Sequence, residues 1–439
     1  MRPLKAEEVV NCLFQMPFFV IPVFSFPSRS REEIEGFQLK RLKKIVRHAY
    51  DQVPFYKRKY DSCRIKPEDI NTLKDFKNLP LVTKEEMIEN FPDSNISRSI
   101  DLNKCIITFT SGSSGKIVNV VYDLPVLARN MLTGLRTYSW GMSWRPWSRQ
   151  MNVNFSKHPM EGLLGTHWLH DAWTLDGVDQ LVGTFKKLAP DFLSCYPSVL
   201  NEMRAYMLQR DIKPPLSLKA IFVNSEMSSA GDRKKLAEFF GAPVYDEYAS
   251  EELNRIAAQC KSLNYHLLED INYIEILDSE GNSLPDGEAG EVVGTQLLNF
   301  TMPFIRYRQN DMASIRTKDC PCGRNLKVLE KLEGRKNNHF VLKNGEILSS
   351  GFLLDLGYSI LLEHPQSICD FCMVQESSDH VILELLPGKA FTAHIRDKIQ
   401  DKLNKAFPAN VKCELKICDR LTKTKNGAKK NPLVSRAMA

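Results

Sequence analysis

A run of glycines and hydroxyl-bearing residues stands early in the chain, between two short apolar segments at residues 105–109 and 117–122. Small residues let backbone amides turn inward around an anion, hydroxyls add donors, and a closing lysine supplies positive charge for phosphate. The spacing differs from that of a Walker loop, and the flanks predict strands on both sides. We therefore predict a phosphate-binding loop, with a flexible hairpin turn as the alternative. Its residues are Thr110, Ser111, Gly112, Ser113, Ser114, Gly115 and Lys116.

Cysteine and histidine residues form a second constellation that could carry chemistry. Cys260 and His266 are close in sequence, and Cys320 and Cys322 follow later in the chain. Three thiolates and one imidazole match the ligands that tetrahedral zinc takes. The C-x-C spacing of the second pair is tighter than the usual C-x2-C, so the sequence leaves structural zinc and unrelated free thiols both open.

Apolar spacing predicts the elements that position these residues. Residues 33–50 have helical periodicity, and Thr83 with Glu86 forms a capping box that begins a helix near Lys84. Alternating strands and helices predict a layered α/β body. Further strands are predicted at residues 217–223, 271–277 and 291–297.

The pattern changes at Gly334-Arg335, beyond which we predict short strands and one helix at about 390–406. A chain of 439 residues is too long for one ordinary core. We predict a large multilayer α/β domain over residues 1–333 and a small α+β domain over residues 335–439.

Bulk composition narrows the classes of function. With 43% hydrophobic residues, 26% charged residues and a net charge of +6, the chain has a globular composition. It contains no basic stripe interleaved with aromatic residues, so we expect no nucleic-acid partner. The 11 cysteines are dispersed, and Glu7 and Glu8 stand where a signal peptide is cationic. These features predict a reducing cytoplasm as the location.

Residues 9–26 form an apolar run that is slightly short for a bilayer span and is interrupted by Asn11, Gln15, Pro17 and Pro22. We expect this run to pack on the domain surface, with membrane contact as the less favoured alternative. The sequence leaves the oligomeric state open, a homodimer included.

Six short motifs give the chain a family resemblance along nearly its whole length. It resembles the adenylate-forming superfamily and, within it, the phenylacetate–coenzyme A ligase family with its capsular polysaccharide biosynthesis relatives. The motifs occur in the family's order along the chain. They are Leu79-Pro80 to Glu86, the loop at 110–116, Asn224-Ser225-Glu226, Tyr248-Ala249-Ser250-Glu251-Glu252, Ile305-Arg306-Tyr307-Arg308-Gln309-Asn310-Asp311, and Gly334-Arg335.

The resemblance implies a role for each matching position. Tyr248 would pack on adenine, beside the adenine-wall residues Ser225 and Glu226. Asp311 would accept hydrogen bonds from the ribose hydroxyls, and Arg335 would contact ribose or phosphate at a hinge. The resemblance also implies that Glu252 would hold Mg²⁺. A C-terminal lysine, Lys429, would neutralise the negative charge that builds on the phosphate and carboxylate oxygens during the reaction.

The sequence departs from the family pattern at three places. Ala249 and Glu251 replace the usual glycine and hydroxyl residue, which leaves two adjacent carboxylates as magnesium candidates. The hinge continues as Lys336-Asn337-Asn338, and Ala428 follows the glycine that normally precedes the catalytic lysine. Pro432-Leu433-Val434-Ser435 resembles the family's closing segment, and counting back from it selects Lys429 as the catalytic lysine, with Lys425 as the alternative.

The function implied is ATP-dependent activation of a carboxylic acid to an acyl-adenylate, with release of pyrophosphate. Transfer to a thiol would follow, either of coenzyme A or of a carrier protein, with domain alternation between the two steps. Three alternatives remain: transfer to an amine or hydroxyl, a non-catalytic nucleotide-binding relative, and an unrelated interaction protein in which the 110–116 segment is a linker.

Overall fold

A computed structural model of the chain describes two compact units. Unit 1 comprises Met1–Pro146, Ser156–Leu163 and Tyr245–Lys331, and unit 2 comprises Trp147–Phe155, Leu164–Val244 and Leu332–Ala439. The residues that the structure describes are 6–110, 117–141, 144–145, 148–153, 166–169, 178–335, 339–348, 350–364, 367–388, 390–419, 421–422 and 433–437.

Helices and strands alternate through much of the described chain, as the α/β prediction requires. The helices are α1 (Ala6–Ser25), α2 (Arg31–Gln52), α3 (Pro54–Ser62), α4 (Leu73–Phe76), α5 (Lys84–Glu89), α6 (Leu124–Gly141), α7 (Val178–Leu188), α8 (Pro197–Gln209), α9 (Ala230–Phe240), α10 (Ser350–Glu363) and α11 (Ala393–Ala406). The strands are β1 (Ile106–Phe109), β2 (Asn119–Tyr122), β3 (Gln150–Val153), β4 (Thr166–Leu169), β5 (Phe192–Cys195), β6 (Ala220–Asn224), β7 (Val244–Ser250), β8 (Asn254–Gln259), β9 (Tyr265–Leu267), β10 (Asn272–Leu277), β11 (Gly290–Gln296), β12 (Tyr307–Arg316), β13 (Val328–Arg335), β14 (Phe340–Val341), β15 (Ile347–Leu348), β16 (Ile368–Ser377), β17 (His380–Pro387), β18 (Lys412–Ile417) and β19 (Leu433–Ser435).

Helix α2 confirms the helical periodicity predicted for residues 33–50. Ser30 caps it: its side chain accepts from the amide of Glu33, and Glu33 in turn accepts from the Ser30 amide. The buried side chains of the helix lie on one face. From that face the Gln38 amide donates to the carbonyls of Glu269 and Asn272, at 3.0 and 3.2 Å. These bonds hold α2 against the segment that leads into β10.

The capping box predicted at Thr83 is also present. Thr83 accepts from the amide of Glu86, whose carboxylate accepts from the Thr83 amide. Just before this box, the amide of Val82 donates to the carbonyl of Arg306, and the amide of Arg308 donates to the carbonyl of Val82, both at 2.9 Å. These two backbone hydrogen bonds hold the segment that precedes α5 beside the first residues of β12.

Unit 1 contains a mainly antiparallel sheet in which the strands follow the order β10-β11-β12-β13-β9-β8-β7. A separate antiparallel hairpin, β1–β2, pairs Ile106 with Tyr122 and Phe109 with Asn119. Both strands of the hairpin match the segments predicted on either side of the glycine-rich loop. The hairpin therefore carries the loop between its strand ends.

Unit 2 contains two sheets with different strand pairing. In the first, β6, β5, β3 and β4 are neighbours in that order and run parallel. Helices α7, α8 and α9 cover a core of aliphatic and aromatic residues from these strands. In the second sheet, with the order β18-β17-β16-β19, helices α10 and α11 contribute to a separate core.

Helix α10 corrects the prediction of a single helix beyond Gly334. The sequence of α10 is apolar around most of its circumference, so it lacks the polar face that marks a surface helix. The structure explains this composition: α10 contacts both β16 and α9, so it is covered on more than one side. The helix predicted near 390–406 is confirmed as α11.

The predicted domains, 1–333 and 335–439, stay a prediction. Unit 1 ends at Lys331, close to the predicted boundary, but Leu332–Ala439 belongs to the same compact unit as Leu164–Val244. No helix within the described residues has the length and apolar character needed to cross a membrane.

Candidate active site

Tyr248 and Asp311 meet in unit 1, where β7 supplies the phenol and β12 supplies the carboxylate. The Tyr248 hydroxyl donates to Oδ2 of Asp311 across 2.6 Å. The Tyr248 side chain is buried and Asp311 is half-buried. A half-buried carboxylate with four lone-pair sites keeps acceptor capacity beyond one tyrosine bond.

Glu252 lies in the turn that follows β7, and its carboxylate is buried. The hydroxyl of Tyr307, the first residue of β12, donates to Oε1 of Glu252 at 3.0 Å. Tyr307 and Asp311 lie on the same strand, so β12 orients Glu252 and also supplies Asp311. The structure thus brings Tyr248, Glu252 and Asp311 into one neighbourhood.

Glu251 differs from its neighbour in exposure and in partner. It is exposed, and its Oε2 accepts from the Thr108 hydroxyl on β1 at 3.1 Å. Thr108 lies two residues before Thr110. Burial, together with the charge of Glu251, raises the pKa of the Tyr122 hydroxyl on β2 well above its usual range. The β1–β2 hairpin therefore stands beside the paired carboxylates.

Thr110 closes the base of the glycine-rich loop. Its amide donates to the carbonyl of Val118, and its hydroxyl accepts from the Val118 amide, each at 3.0 Å. The remaining predicted loop residues lie outside the described part of the chain: Ser111, Gly112, Ser113, Ser114, Gly115 and Lys116.

Arg306 anchors the segment that carries Tyr307 and Asp311. Its guanidinium binds both carboxylate oxygens of Glu275 on β10, at 3.0 and 3.1 Å, and also donates to the carbonyls of Lys77 and Leu79. Burial raises the pKa of Glu275, and the charge of Arg306 opposes that rise. The backbone of Arg306 has a positive φ of 49°, a conformation that such a network can hold in place.

The other predicted nucleotide contacts belong to unit 2. The Ser225 hydroxyl donates to Oδ1 of Asn224 at 2.9 Å, and Ser225 has a φ of 66°. Glu226 accepts from the amide and hydroxyl of Ser198 at the start of α8, at 3.0 and 3.1 Å. Arg335 ends strand β13.

Both candidates for the catalytic lysine, Lys429 and Lys425, lie outside the described residues, as do Lys336, Asn337 and Asn338 of the hinge. The roles of the predicted site residues therefore stay predictions, although several of the residues share one neighbourhood. Sequence reasoning missed Thr108, Arg306 and Tyr307 as positioning residues. Arg306 and Tyr307 stand inside a motif that had been used only to select Asp311.

The four predicted metal ligands do come together. The ligand atoms of Cys260, His266, Cys320 and Cys322 all lie within 4.8 Å of one another. The Cys260 and Cys320 sulfurs are 3.7 Å apart, and Cys322 Sγ is 3.2 Å from His266 Nε2. Tetrahedral bonds of about 2.3 Å place two zinc-bound sulfurs about 3.8 Å apart, so the donor set fits zinc.

The surroundings of this cluster orient its ligands. His266 Nδ1 lies 3.3 Å from the carbonyl of Leu326, which leaves Nε2 for the cysteines. Burial lowers the pKa of His266 to about 4, so its imidazole is neutral at pH 7 and suited to bind a metal. Burial raises the pKa of Cys260 to about 11, and a cation would favour the thiolate.

Comparison with known proteins identifies the fold. No protein-family model matches the chain. A 2-hydroxyisobutyryl-CoA ligase solved in the postadenylation state with 2-HIB-AMP superposes with a TM-score of 0.78, at 20% identity, over 94% of this chain and 90% of that one. An anthranilate CoA ligase, AuaEII, solved with anthranoyl-AMP, superposes with a TM-score of 0.55. The fold is that of the adenylate-forming ligases.

Sequence relatives narrow the class. A phenylacetate-coenzyme A ligase of Aromatoleum evansii is 27% identical over 334 residues, which is 72% of this chain and 73% of that protein. The Escherichia coli K12 phenylacetate-coenzyme A ligase is 25% identical over 340 residues, which is 73% of this chain and 75% of that protein. Protein CapK of Staphylococcus aureus is 21% identical over 378 residues, with 82% and 80% covered. These similarities agree with the resemblance to the phenylacetate–coenzyme A ligase family that the motifs predicted.

Proposed function

We propose that this enzyme uses ATP to convert a carboxylic acid into an acyl-adenylate, releases pyrophosphate, and transfers the acyl group to the thiol of coenzyme A. The observation that carries the proposal is the neighbourhood of Tyr248, Glu252 and Asp311 beside the hairpin of the glycine-rich loop. Two of the relatives named above are phenylacetate-coenzyme A ligases, and two solved neighbours hold acyl-AMP compounds.

Nucleotide binding follows from the chemistry of these groups. Asp311 offers carboxylate oxygens to the two ribose hydroxyls, while its bond from Tyr248 fixes its orientation. Tyr248 presents an aromatic ring for adenine, and Ser225 and Glu226, which match the adenine-wall motif, are proposed as further adenine contacts. Arg335 is proposed to contact ribose or phosphate. The loop from Thr110 to Lys116 would hold the phosphates through backbone amides.

Mg²⁺ is proposed as a cofactor, with Glu252 as its ligand. A hard cation prefers carboxylate oxygens, and the bond from Tyr307 fixes the Glu252 carboxylate before any metal binds. When bound, the ion would neutralise phosphate charge. Glu251 is the competing ligand because it is adjacent and exposed.

Lys429 is proposed to stabilise charge on the phosphate and carboxylate oxygens as the carboxylate attacks the α-phosphorus. Residues 335–439 are proposed to rotate about Arg335 afterwards and to admit the thiol. Coenzyme A is the favoured acceptor because the relatives are named as its ligases. A carrier-protein thiol is the alternative of the same chemistry.

A structural zinc ion is proposed at Cys260, His266, Cys320 and Cys322. The 3.7 Å sulfur separation and the orientation of His266 support it. A reducing cytoplasm stays the proposed location. The cysteines recorded as free thiols outside this cluster are Cys63, Cys105, Cys195, Cys372, Cys413 and Cys418.

Carboxylate-dependent ATP–pyrophosphate exchange tests the function. Purified protein is assayed with panels of aryl, fatty and amino acids, and active acids are then offered coenzyme A or amines. Exchange followed by thioester formation is the expected result. Lys429→Ala should abolish exchange without changing the circular dichroism spectrum, with Lys425→Ala as the matched comparison.

Other outcomes assign other functions. If exchange occurs but the acyl group is transferred only to an amine or hydroxyl, the acceptor in the second step is not a thiol. ATP binding without exchange for any acid would favour a non-catalytic relative, an alternative motivated by Ala249, where the family has glycine, and by the shifted position of the catalytic lysine. Absence of ATP binding would reject the proposal.

A further inference from the structure

Helix α1 leaves a long apolar surface uncovered in unit 1. The exposed fractions of Val10, Phe14, Phe18 and Ile21 are 65%, 72%, 70% and 77%. These positions recur at spacings of three and four, so their side chains form one stripe along the helix. At about 1.5 Å per residue the stripe is roughly 17 Å long. We call these four residues the α1 stripe.

The opposite side of α1 is fixed to the rest of unit 1. Val23 is fully buried, and the buried guanidinium of Arg136 on α6 donates to the Val23 carbonyl at 2.7 Å. The same guanidinium binds both carboxylate oxygens of Asp270, at 2.8 and 3.0 Å. The helix is therefore held in place by α6, and the α1 stripe is a fixed surface feature.

Charge is distributed unevenly around this helix. Glu7 and Glu8 are the charged residues of α1, and the chain then carries no charge until Arg29. The Arg29 guanidinium lies 5.1 Å from the Phe26 ring, immediately beyond α1, and 5.8 Å from the Phe37 ring on α2. Cations therefore begin where the apolar helix ends.

The cations continue along α2 from that point. Arg41 follows Phe37 by one turn, and Arg41 and Lys44 each lie 5.4 Å from the ring of Phe300. Lys40 and Lys44 are exposed. Arg29 forms no ion pair with a described carboxylate, whereas two of the acids near the start of α2 are engaged: Glu33 caps the helix, and Glu35 lies 3.7 Å from Arg31. The Arg41 guanidinium donates to the carbonyl of Leu297, at 2.9 and 3.2 Å, so it is held against the protein. We call Arg29, Lys40 and Lys44 the basic ridge.

We propose that α1 docks in the plane of an anionic lipid bilayer, with the α1 stripe in the interface and the basic ridge against the headgroups. Aromatic and aliphatic side chains on one face of a helix, next to lysine and arginine, are the features of interfacial helices. Each cation near a negatively charged membrane surface adds attraction that salt screens.

Charge favours a membrane over a second copy of the chain as the occupant. In a two-fold symmetric dimer each surface patch meets its own copy. The basic ridges of two copies carry the same charge, so they would not attract each other. An anionic surface instead complements the ridge.

Vesicle flotation of the full chain tests the proposal. Vesicles of phosphatidylglycerol with phosphatidylcholine are compared with vesicles of phosphatidylcholine alone, at low and high salt. We expect the protein to float with the anionic vesicles and to be released by salt. The double variant Phe14→Ser, Phe18→Ser should lower vesicle binding about tenfold or more, and Lys40→Gln, Lys44→Gln should lower it by a smaller factor.

Matched controls use exposed residues of unit 2. Leu208→Ser with Leu216→Ser removes exposed apolar surface, and Lys213→Gln with Lys234→Gln removes exposed charge; both should bind vesicles as the wild type does. Coincident thermal melts would show that all variants fold.

Three results would overturn the proposal. The first is equal binding of the wild type to anionic and neutral vesicles, or to neither. The second is undiminished binding by the phenylalanine variant. The third is a dimer, seen by sedimentation velocity, that binds no vesicles and dissociates when Phe14 and Phe18 are replaced, because a second copy would then cover the stripe.

Discussion

The hydroxyl of Tyr248 donates to the carboxylate of Asp311 across 2.6 Å, although 63 residues separate the two in sequence. The bond joins β7 to β12 and sets the orientation of the carboxylate proposed to bind ribose. Both residues were selected from separate motifs, and their contact gives those motifs a common location.

Asp311→Asn should weaken ATP use more than Tyr248→Phe does. The asparagine removes a charged acceptor, and hydrogen bonds to charged groups contribute about 1.5–3 kcal/mol, which corresponds to a roughly 10- to 100-fold fall in kcat/KM. The phenylalanine keeps the ring and removes only a bond that positions Asp311, so a fall of about 2- to 10-fold is expected. Exchange kinetics at varied ATP measure both. Asp93→Asn, at an exposed position, is the control; equal kinetics for Asp311→Asn and the wild type would remove Asp311 from the ribose site.

Glu252→Gln and Glu251→Gln separate the two magnesium candidates. If Glu252 is the ligand, its glutamine variant should raise the Mg²⁺ concentration for half-maximal exchange about tenfold or more, while Glu251→Gln changes it little. Tyr307→Phe should raise it by a smaller factor because the carboxylate loses its orienting bond. The reverse order for the two glutamate variants would transfer the role to Glu251.

Metal analysis should find about one zinc per chain in protein purified without chelators. Cys322→Ser should reduce the bound metal and lower the thermal midpoint, because three ligands hold zinc less tightly than four. Cys63→Ser, at an exposed free cysteine, should change neither quantity. Wild-type protein that contains no zinc, and that gains no stability when zinc is added, would leave the four residues as buried thiols and a histidine.

Gly334→Ala should destabilise the protein more than Gly345→Ala does. Their φ values are nearly equal, 85° and 83°, so both variants incur the left-handed backbone penalty of about 1–2 kcal/mol. A Cβ at Gly334 would lie 2.4 Å from Ser350 Oγ and 2.6 Å from Met227 Sδ, whereas Gly345 has open space around it. Denaturant unfolding measures the difference, and equal losses would show that the neighbours of Gly334 yield freely.

Asp232→Asn should stabilise the protein, and the gain should increase with pH. Burial raises the pKa of Asp232 on α9 to about 6 from its usual value of 3.8. Between these two values the folded state binds the proton more strongly than the unfolded chain does, so this group lowers stability as pH rises. The free energy of unfolding of the variant should therefore exceed that of the wild type by an amount that grows from about pH 4 to pH 6 and then levels off near or below ~3 kcal/mol. Glu238→Gln, exposed on the same helix, should show no such trend.

Sequence patterns correctly predicted those helix features whose stabilising contacts lie between residues close in sequence. The capping box at Thr83 and Glu86 and the periodicity of α2 need only neighbouring residues, and both were found as predicted. Helix α10 was missed because its apolar residues surround it, a consequence of contacts with β16 and α9 that no local pattern records.

The sequence predicted the chemical groups of the candidate site, but it did not predict the hydrogen bonds that orient them. Asp311, Tyr248 and Glu252 could be selected from motifs. The bonds from Tyr307 to Glu252 and from Thr108 to Glu251 join distant segments, so the spacing of residues cannot reveal them. The zinc ligands were chosen by residue type and by spacing within each pair, and the antiparallel pairing of β8 with β9 and of β13 with β9 explains how the two pairs converge.

Unit 1 is discontinuous, since Tyr245–Lys331 completes a body that begins at the N-terminus. The hydroxyl of Tyr56 donates to the carbonyl of Pro303, and Gln38 needs the carbonyls of Glu269 and Asn272. During synthesis on the ribosome, the first helices therefore wait for most of the chain before their buried polar groups find partners. A fragment that stops before β8 would expose those groups together with the apolar faces around them, so we expect such an N-terminal piece not to fold on its own.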